Sequence, residues 1–400
     1  MTHQFEVGKA GIIKAVVAYI NKKLGKKKAE LCVEFMQQFL NTVGVEDLQE
    51  WRIESLACAG IHFWSTIQKR KVSQPNIQIY NPTVEQDGWK TTYTVLEIVA
   101  DDEPFLVDSI RMTVNRLGLS SHLIMYMGGM RLLRDKEREV TSIFPHAGES
   151  RSDVIVEAAI LMELDKVISQ AVLDELKQEL QKVLEINQAV VNDWSFMRER
   201  LRSSIEELEH APATLHAFEI EETQLFLKWI EDHHFTFLGV RDYELTQQGN
   251  ERFLKALPKT GLGVLRTTLN KSSQKTLSEL TPEAQQLLLS PRILVTSKIN
   301  YLSTVHRNTY MDYIGIKRFN AKGEVIGERR ILGLYTSAAY NTNPRHIPFL
   351  RHKVACVMQN SHLNPRSHSG KALLNILETL PRDDLTQGSE DELLEMSMRI

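Results

Sequence analysis

The chain has 400 residues, too many for one ordinary hydrophobic core, so we expect two or three domains. Its 42% hydrophobic and 25% charged residues are typical of a soluble globular protein, and a net charge of -3 gives no electrostatic case for nucleic-acid binding. Three cysteines without a C-x-x-C motif argue against a disulfide framework or a zinc ribbon. Neither a signal peptide nor a long apolar run is found, which predicts a cytoplasmic protein without membrane contact.

Residues 1–72 are predicted to form an N-terminal helical segment. Ile12, Val16 and Ile20 fall on one helix face, and the same spacing of apolar residues resumes after Gly25. We find no catalytic pattern in this segment, so it is interpreted as a helical lead-in to the domains that follow.

The region 75–185 is predicted to be a mixed domain with the element order β-α-β-β-α. This order is the ferredoxin-like pattern without an obvious last strand. Pro104 suits the first turn of its first helix, and Gly118 ends that helix. The predicted strands are residues 77–80, 91–99, 119–127, 130–134 and 154–164, and the predicted helices are residues 104–117 and 172–184.

Residues 186–212 are predicted to be a helical connector, and residues 216–340 an antiparallel sheet domain. Its strongest signal is a hairpin in which two alternating strands, 310–319 and 324–336, flank a short turn with Gly323. A second hairpin is predicted over residues 235–254, and residues 272–290 are predicted to be an insert with a helix. Such a sheet packs a core or docks a partner more often than it catalyses.

The last segment, residues 344–400, is predicted to be a helical linker that leads towards a further domain. Its final helix has Ser389 as a plausible N-cap. The fold class predicted for the whole chain is therefore α+β.

Three consecutive carboxylates, Asp101, Asp102 and Glu103, precede the helix that starts near Pro104. The simplest interpretation is that they cap the helix and complement its dipole. Two other hypotheses are a general acid/base pair and an effector loop, because the N–H groups at a helix N-terminus receive anions such as an amino-acid carboxylate.

The usual nucleotide, hydrolase and metalloprotease motifs are missing from the sequence. Gly261-Leu-Gly263 lacks the third glycine of a dinucleotide fingerprint, and Gly370-Lys371 lacks the earlier glycine of a phosphate-binding loop. The histidines have no metal-ligand spacing, so no metal site is predicted. No catalytic or cofactor-binding residue is therefore assigned.

A series of long motifs, in a fixed order, resembles the N-terminal part of the large bacterial NAD-specific glutamate dehydrogenases. The most specific are Pro-Phe-Leu-Val-Asp-Ser at 104–109 and Gly-Leu-Tyr-Thr-Ser-Ala-Ala-Tyr at 333–340. The others are residues 81–89, 235–243, 303–307, 312–315, 317–319, 327–330 and 370–378. The resemblance runs from about residue 30 to the end of the chain.

The resemblance implies an ACT-like domain at 75–185 and a PAS-type domain at 216–340, with a further ACT-like unit and the dehydrogenase domain downstream. The parent protein would convert L-glutamate to 2-oxoglutarate and ammonium while reducing NAD, which would bind in that downstream domain. Implied partners are the catalytic domain and other copies of the chain in a homo-oligomer. ACT domains generally bind amino acids near their first loop, which here implies an effector site at Asp101, Asp102, Phe105, Asp108 and Ser109.

The sequence departs from the family pattern in three places. Residues 126–130 read Tyr-Met-Gly-Gly-Met where the family carries His-Pro, residue 103 is Glu where the family has Met, and the catalytic P-x-G-G-x-K pattern is absent. We therefore expect a regulatory and assembly region without its own turnover. The alternatives are a stand-alone amino-acid sensor that acts on a partner in trans and an independent enzyme that uses the carboxylates at 101–103.

Overall fold

The computed structural model describes residues 2–145, 151–248, 251–266, 275–276, 290 and 292–399. The chain divides into two compact units, one of residues 1–187 with 304–307 and one of residues 188–303 with 308–400. Each unit has its own antiparallel sheet and its own helices. No helix within these described ranges is long and apolar enough to cross a membrane.

The first unit has a five-stranded sheet in the order β1-β2-β5-β3-β4, and all neighbouring strands are antiparallel. Its strands are β1 (Asn76–Tyr80), β2 (Thr94–Asp101), β3 (Ser121–Arg134), β4 (Val140–Phe144) and β5 (Ile155–Leu164). Its helices are α1 (Thr2–Leu24), α2 (Lys26–Thr42), α3 (Val45–Gln49), α4 (Ile53–Gln68), α5 (Val84–Asp87), α6 (Leu106–Arg116) and the first part of α7 (Gln170–Glu209).

Both faces of this sheet are buried. Val95 and Val99 of β2 pack with the apolar residues of α1, α2 and α4, whereas Leu96 and Ile98 pack with those of α6 and α7. A strand buried on both faces reads as a nearly continuous apolar run, and all of β2 except its last residue is buried. The N-terminal helices are therefore part of the core of this unit.

The structure differs from the sequence prediction around β3. Residues 119–127 and 130–134 were predicted as two strands, but they form one strand with a register shift between Met127 and Met130. Gly129 has φ 66° there, so the glycine pair makes a bulge in the strand. The sequence analysis also missed β4. Helix α6 was predicted to start at residue 104, but it begins at Leu106 because Phe105 takes φ 68°.

Helix α7 is a single helix of 40 residues, Gln170–Glu209. The sequence analysis predicted two separate helical stretches here, 172–184 and a connector that began at residue 186. No glycine or proline occurs between residues 170 and 209, so nothing in the backbone interrupts the helix. The boundary between the two units lies within this helix, after Asn187.

The second unit has a larger antiparallel sheet in the order β10-β11-β12-β6-β7-β9, with β8 also paired to β6, among the residues described. Its strands are β6 (Phe235–Gln248), β7 (Glu251–Ala256), β8 (Leu262–Gly263), β9 (Lys275–Thr276), β10 (Leu294–Leu302), β11 (Tyr310–Phe319) and β12 (Val325–Tyr335). Its helices are the second part of α7, α8 (Ala217–Trp229), α9 (Ser337–Asn341), α10 (Leu350–Asn360), α11 (His368–Thr379), α12 (Arg382–Gln387) and α13 (Glu390–Arg399).

The predicted hairpin of this sheet is confirmed, since β11 and β12 pair around the turn at residues 320–323. The N-cap of α13 is also confirmed: the N–H of Glu392 donates to Ser389 Oγ at 3.3 Å, and the N–H of Ser389 donates to Glu392 Oε2 at 2.9 Å. Helix α12 was missed. The predicted insert at 272–290 lies mostly outside the described residues.

Two charged contacts, centred on the buried side chains of Arg329 and Asp193, hold the second part of α7 on this sheet. Arg329 of β12 donates from Nε to Asp242 Oδ1 of β6 at 2.8 Å and from Nη1 to Ser204 Oγ of α7 at 2.8 Å. Asp193 of α7 accepts from the N–H of Gly263 at 2.8 Å and from Nε of Arg266 at 2.6 Å. These bonds are charge-assisted, which makes them stronger than neutral ones.

The Gly-Leu-Gly motif at 261–263 has a structural role in this arrangement. A Cβ at Gly261 would collide with the carbonyl oxygen of Leu265 and lie 3.1 Å from Nε of the buried Arg241. Gly263 has φ 56°, and a Cβ there would collide with the carbonyl oxygen of Leu238. Both glycines are therefore explained by close approach of the backbone at β8.

Candidate functional site

The carboxylates of Asp101 and Glu157 lie opposite each other on neighbouring strands, because the register pairs these residues across β2 and β5. Like charges in this position repel each other. Arg70, which follows α4, lies between them: it donates from Nη2 to Asp101 Oδ1 and from Nε to Glu157 Oε1 at 2.9 Å. Arg70 therefore makes this register possible.

Arg134, at the end of β3, completes the cluster. Its guanidinium donates to both oxygens of Glu157, at 3.0 Å from Nε and 2.8 Å from Nη2. The same guanidinium also donates to the carbonyl oxygens of Ile67 and Arg138. Glu157 is fully buried, so its charge is compensated inside the protein and not by water.

Asp102 is the first residue after β2, and its side chain is exposed. Its Oδ2 accepts from the N–H of Gly129 at 2.8 Å, and its Oδ1 accepts from the hydroxyl of Tyr126 at 3.1 Å. Burial and the charge of Asp102 together raise the pKa of the Tyr126 hydroxyl to about 12. The residues that replace the His-Pro pair of the family therefore hold this end of the loop.

The loop ends at Phe105, where α6 begins without a side-chain cap. Phe105 has a left-handed backbone, and its ring lies 4.6 Å from the ring of His306, a residue of the same compact unit. Ser109, in the first turn of α6, is fully buried, and its Oγ accepts from the N–H of His306 at 3.4 Å. A helix start without a cap leaves N–H groups that can bind an anion.

Glu103 and Asp108 complete the acidic set of this loop. Asp108 is exposed in the first turn of α6. Glu103 Oε2 accepts from Nδ2 of Asn187 at 3.2 Å. Burial and the charges of Asp101 and Asp102 raise the pKa of Glu103 to about 7, although the Asn187 hydrogen bond and the charge of Arg70 act against this rise.

The five residues predicted as an effector site lie between the last residue of β2, Asp101, and the first turn of α6. Their environments differ: Asp101 is bound to Arg70, Ser109 is buried, and only Asp102 and Asp108 are exposed carboxylates. The sequence analysis missed Arg70, Arg134 and Tyr126, which orient this loop. No local pattern could have identified them, since their carboxylate partners lie at least 23 residues away in the chain.

The described residues contain no group of three or more His, Cys, Asp or Glu side chains that could hold a metal ion. An acid/base role needs a carboxyl within reach of a substrate and with a pKa near the working pH. Glu103 has such a pKa, but the neighbouring carboxylates are engaged by Arg70, Tyr126 and Gly129. The geometry therefore favours a binding loop over a catalytic pair.

Replacing Arg70 with methionine is expected to lower the free energy of unfolding of the first unit by about 3–5 kcal/mol, because Asp101 and Glu157 would face each other without a cation. The matched control is Arg116→Met, which removes an exposed pair with Glu179 and should cost only about 0.5 kcal/mol. Urea denaturation measures both values. Equally small losses of unfolding free energy in both variants would contradict the proposal that Arg70 compensates Asp101 and Glu157.

Glu103→Gln is expected to change the pH dependence of stability. The carboxyl titrates near pH 4.5 when unfolded and near 7 when folded, so the folded state binds an extra proton between these values. Wild-type stability therefore falls as pH rises through this window, and the variant should be more stable at pH 8 by about 1 kcal/mol, a value reduced for partial exposure. Urea denaturation of wild type and variant at pH 5 and pH 8 checks this prediction. The control is Glu137→Gln, which replaces an exposed carboxyl and should leave the pH dependence of stability as in the wild type.

Two family models match the chain. Residues 35–180 match the model described as glutamate dehydrogenase, ACT1 domain, and residues 347–400 match glutamate dehydrogenase, helical motif 1. The ACT1 match begins within α2, so it includes helices that cover one face of the first sheet as well as the sheet itself. The second match covers the helices from α10 to α13.

The chain is also similar to three curated relatives named NAD-specific glutamate dehydrogenase. It is 33% identical to that of Halomonas elongata over 99% of this chain and 24% of the relative, and 33% identical to that of Pseudomonas aeruginosa over 94% of this chain and 23% of the relative. Identity to that of Mycobacterium tuberculosis is 26% over 76% of this chain and 18% of the relative. The chain thus spans 18–24% of the length of these relatives, and by sequence it is an N-terminal region of the NAD-specific glutamate dehydrogenase family.

Proposed function

We propose that the chain is the non-catalytic regulatory and assembly region of an NAD-dependent glutamate dehydrogenase. The parent would convert L-glutamate, NAD and water to 2-oxoglutarate, ammonium and NADH. The observation that carries this proposal is the coverage of the matches: nearly the whole chain aligns, but with only about a quarter of each relative. NAD would then bind in the part of the parent that this chain does not include.

The element order supports a ferredoxin-like interpretation of the ACT domain. In the ferredoxin-like order the last strand lies beside the first, and in this sheet β1 occupies that edge, next to β2. The N-terminal strand β1 would therefore replace the missing last strand. For the second unit we propose a PAS-like sheet domain, because two antiparallel hairpins are joined through the pairing of β12 with β6.

Within the ACT domain we propose an amino-acid effector site at the loop formed by residues 101–109. The uncapped start of α6 would receive the carboxylate of the amino acid, and the exposed carboxylates of Asp102 and Asp108 would meet its ammonium group. Phe105 and Ser109 would shape the loop, and Asp101 would hold it through Arg70.

The partners that we propose are the downstream catalytic domain and other copies of the parent chain, in a cytoplasmic homo-oligomer. The alternative is a stand-alone amino-acid sensor that acts on a partner in trans. An extension of the reading frame beyond Ile400 to about four times this length would favour the dehydrogenase, and a stop codon there would favour the sensor.

The purified chain is expected to form no NADH from glutamate and NAD, because its sequence has no dinucleotide fingerprint and the carboxylates beside Glu103 are engaged by other groups. The absorbance of NADH measures this, and the full-length parent protein provides the positive control. Glutamate-dependent NADH formation by the chain alone would contradict the proposal.

One amino acid, from a panel of the common ones, is expected to raise the melting temperature of the chain. Ligand at one hundred times its dissociation constant should add about 2.7 kcal/mol to stability. Asp102→Asn and Asp108→Asn should each reduce this shift, whereas the exposed control Asp174→Asn should not. Thermal denaturation followed by circular dichroism measures the shift. A full shift in both loop variants would exclude this loop as the effector site.

A further inference from the structure

The second unit contains a cavity of about 660 Å³ that no predicted site includes. It lies between the start of β10 and the helices α8, α9, α10, α12 and α13, and all the residues around it belong to this one unit. Its volume is within the range of sites for small molecules. The cavity shares no residue with the loop at 101–109.

The cavity runs along the β10 edge of the sheet. Four consecutive residues of β10, Leu294–Ser297, line it, whereas a cavity on one face of a strand is lined by alternate residues only. Strand β10 pairs with β11 and with no other strand among those described. The N–H of Lys317 donates to the carbonyl of Ile293, so by alternation Leu294 and Thr296 direct their backbone groups away from β11. A ligand can therefore form backbone hydrogen bonds at this edge.

Arg382, at the start of α12, brings an uncompensated positive charge to the cavity wall. Its Nη2 donates to the carbonyl oxygens of Tyr340 at 3.3 Å and Thr342 at 2.6 Å. Its Nε and Nη1 are buried and have no hydrogen-bond partner among the described residues. Burial lowers the pKa of this guanidinium, and no carboxylate pairs with it in the described part of the chain. A nearby anion would reduce the cost of burying this charge.

Lys353, in α10, is a second cation of the cavity wall, and carbonyl groups hold its ammonium group. Its ammonium donates to the carbonyl oxygens of Leu385, Thr386 and Gly388 at 2.7–3.1 Å. Three carboxylates belong to the same wall: Glu219 accepts from the N–H of Ile293, Glu392 caps α13, and the charges of Glu390 and Glu392 favour the charged form of Lys353. Arg382 is therefore the buried cation of this wall that no carboxylate in the described part of the chain compensates.

The rest of the wall is rich in apolar and aromatic side chains. Phe226 and Trp229 of α8 line it, together with Ile347, Phe349 and Leu350 at the start of α10. A ligand that fills this space needs an apolar body in addition to its charge, because burial of apolar surface supplies most of the binding free energy in such pockets.

We propose that this cavity binds an organic carboxylate with an aromatic or branched apolar body. The carboxylate lies near Arg382, the apolar body packs against the aromatic wall, and a polar group such as an amide pairs with the edge of β10. This site goes beyond the proposed function, since it uses a different unit and a different charge pattern from the loop at 101–109.

Calorimetric titration of the chain with N-acetyl-L-phenylalanine tests the proposal, because this probe carries a carboxylate, an amide and an aromatic body. Its neutral carboxamide analogue is expected to bind the wild-type chain at least about tenfold more weakly than the acid does. The acid is expected to bind the Arg382→Gln variant more weakly than the wild type by a similar factor. Arg382→Lys should retain most of the affinity. Thr296→Trp, which fills the cavity without a change of charge, should abolish binding. The control is Arg366→Gln, an exposed arginine outside the cavity, which should leave binding unchanged.

Circular dichroism of each variant confirms that it folds before it is titrated. Equal binding of the acid and the carboxamide would overturn the role of the positive charge, and unchanged binding by Thr296→Trp would overturn the location. Failure of the wild-type chain to bind the acid at concentrations up to about 10 mM would overturn the site itself. Asp102→Asn should bind the probe normally, so failure of the cavity and failure of the effector loop are distinguishable.

Discussion

The first unit depends on the placement of Arg70 between two carboxylates that the strand register sets opposite each other, Asp101 and Glu157. Burying such a network contributes little net stability, but leaving one of its members alone is costly. A slip of β2 against β5 by one residue would separate the two carboxylates from Arg70 and turn every side chain to the other face. We infer that the network specifies the register and, with Arg134, fixes the point from which the loop to α6 starts.

The burial of both faces of the first sheet limits how copies of this unit can associate. In a domain with one open sheet face, that face is available for pairing with a second copy. Here α1, α2 and α4 pack on one face and α6 and α7 on the other. Association through this sheet is therefore left to its edge strands, β1 and β4, or to the outer surfaces of the helices. The proposed assembly role thus belongs to edges and helices.

The sequence predicted those parts of the fold that local patterns determine. The hairpin of β11 and β12 has clear alternation and a turn with Gly323, and Ser389 with Glu392 forms a capping box; both are present. The errors arose where tertiary contacts outweigh the local signal. Gly128-Gly129 suggested the end of a strand, but the N–H of Gly129 bonds Asp102 and the strand continues through a bulge. The candidate loop was located from its motif, whereas the arginines that orient it come from distant parts of the chain.

The two proposed sites differ in the charges that their ligands need, which gives each site a separate chemical basis. The loop at 101–109 exposes carboxylates beside an uncapped helix start, so a ligand needs an ammonium group as well as an anion. In the cavity beside β10 the buried guanidinium of Arg382 is held by carbonyl groups and has no carboxylate partner among the described residues, and much of the wall is apolar or aromatic. A zwitterionic amino acid fits the loop, but it would have to bury its ammonium group near Arg382 to occupy the cavity. Desolvation and repulsion both oppose that placement, so a ligand suited to one site is poorly suited to the other.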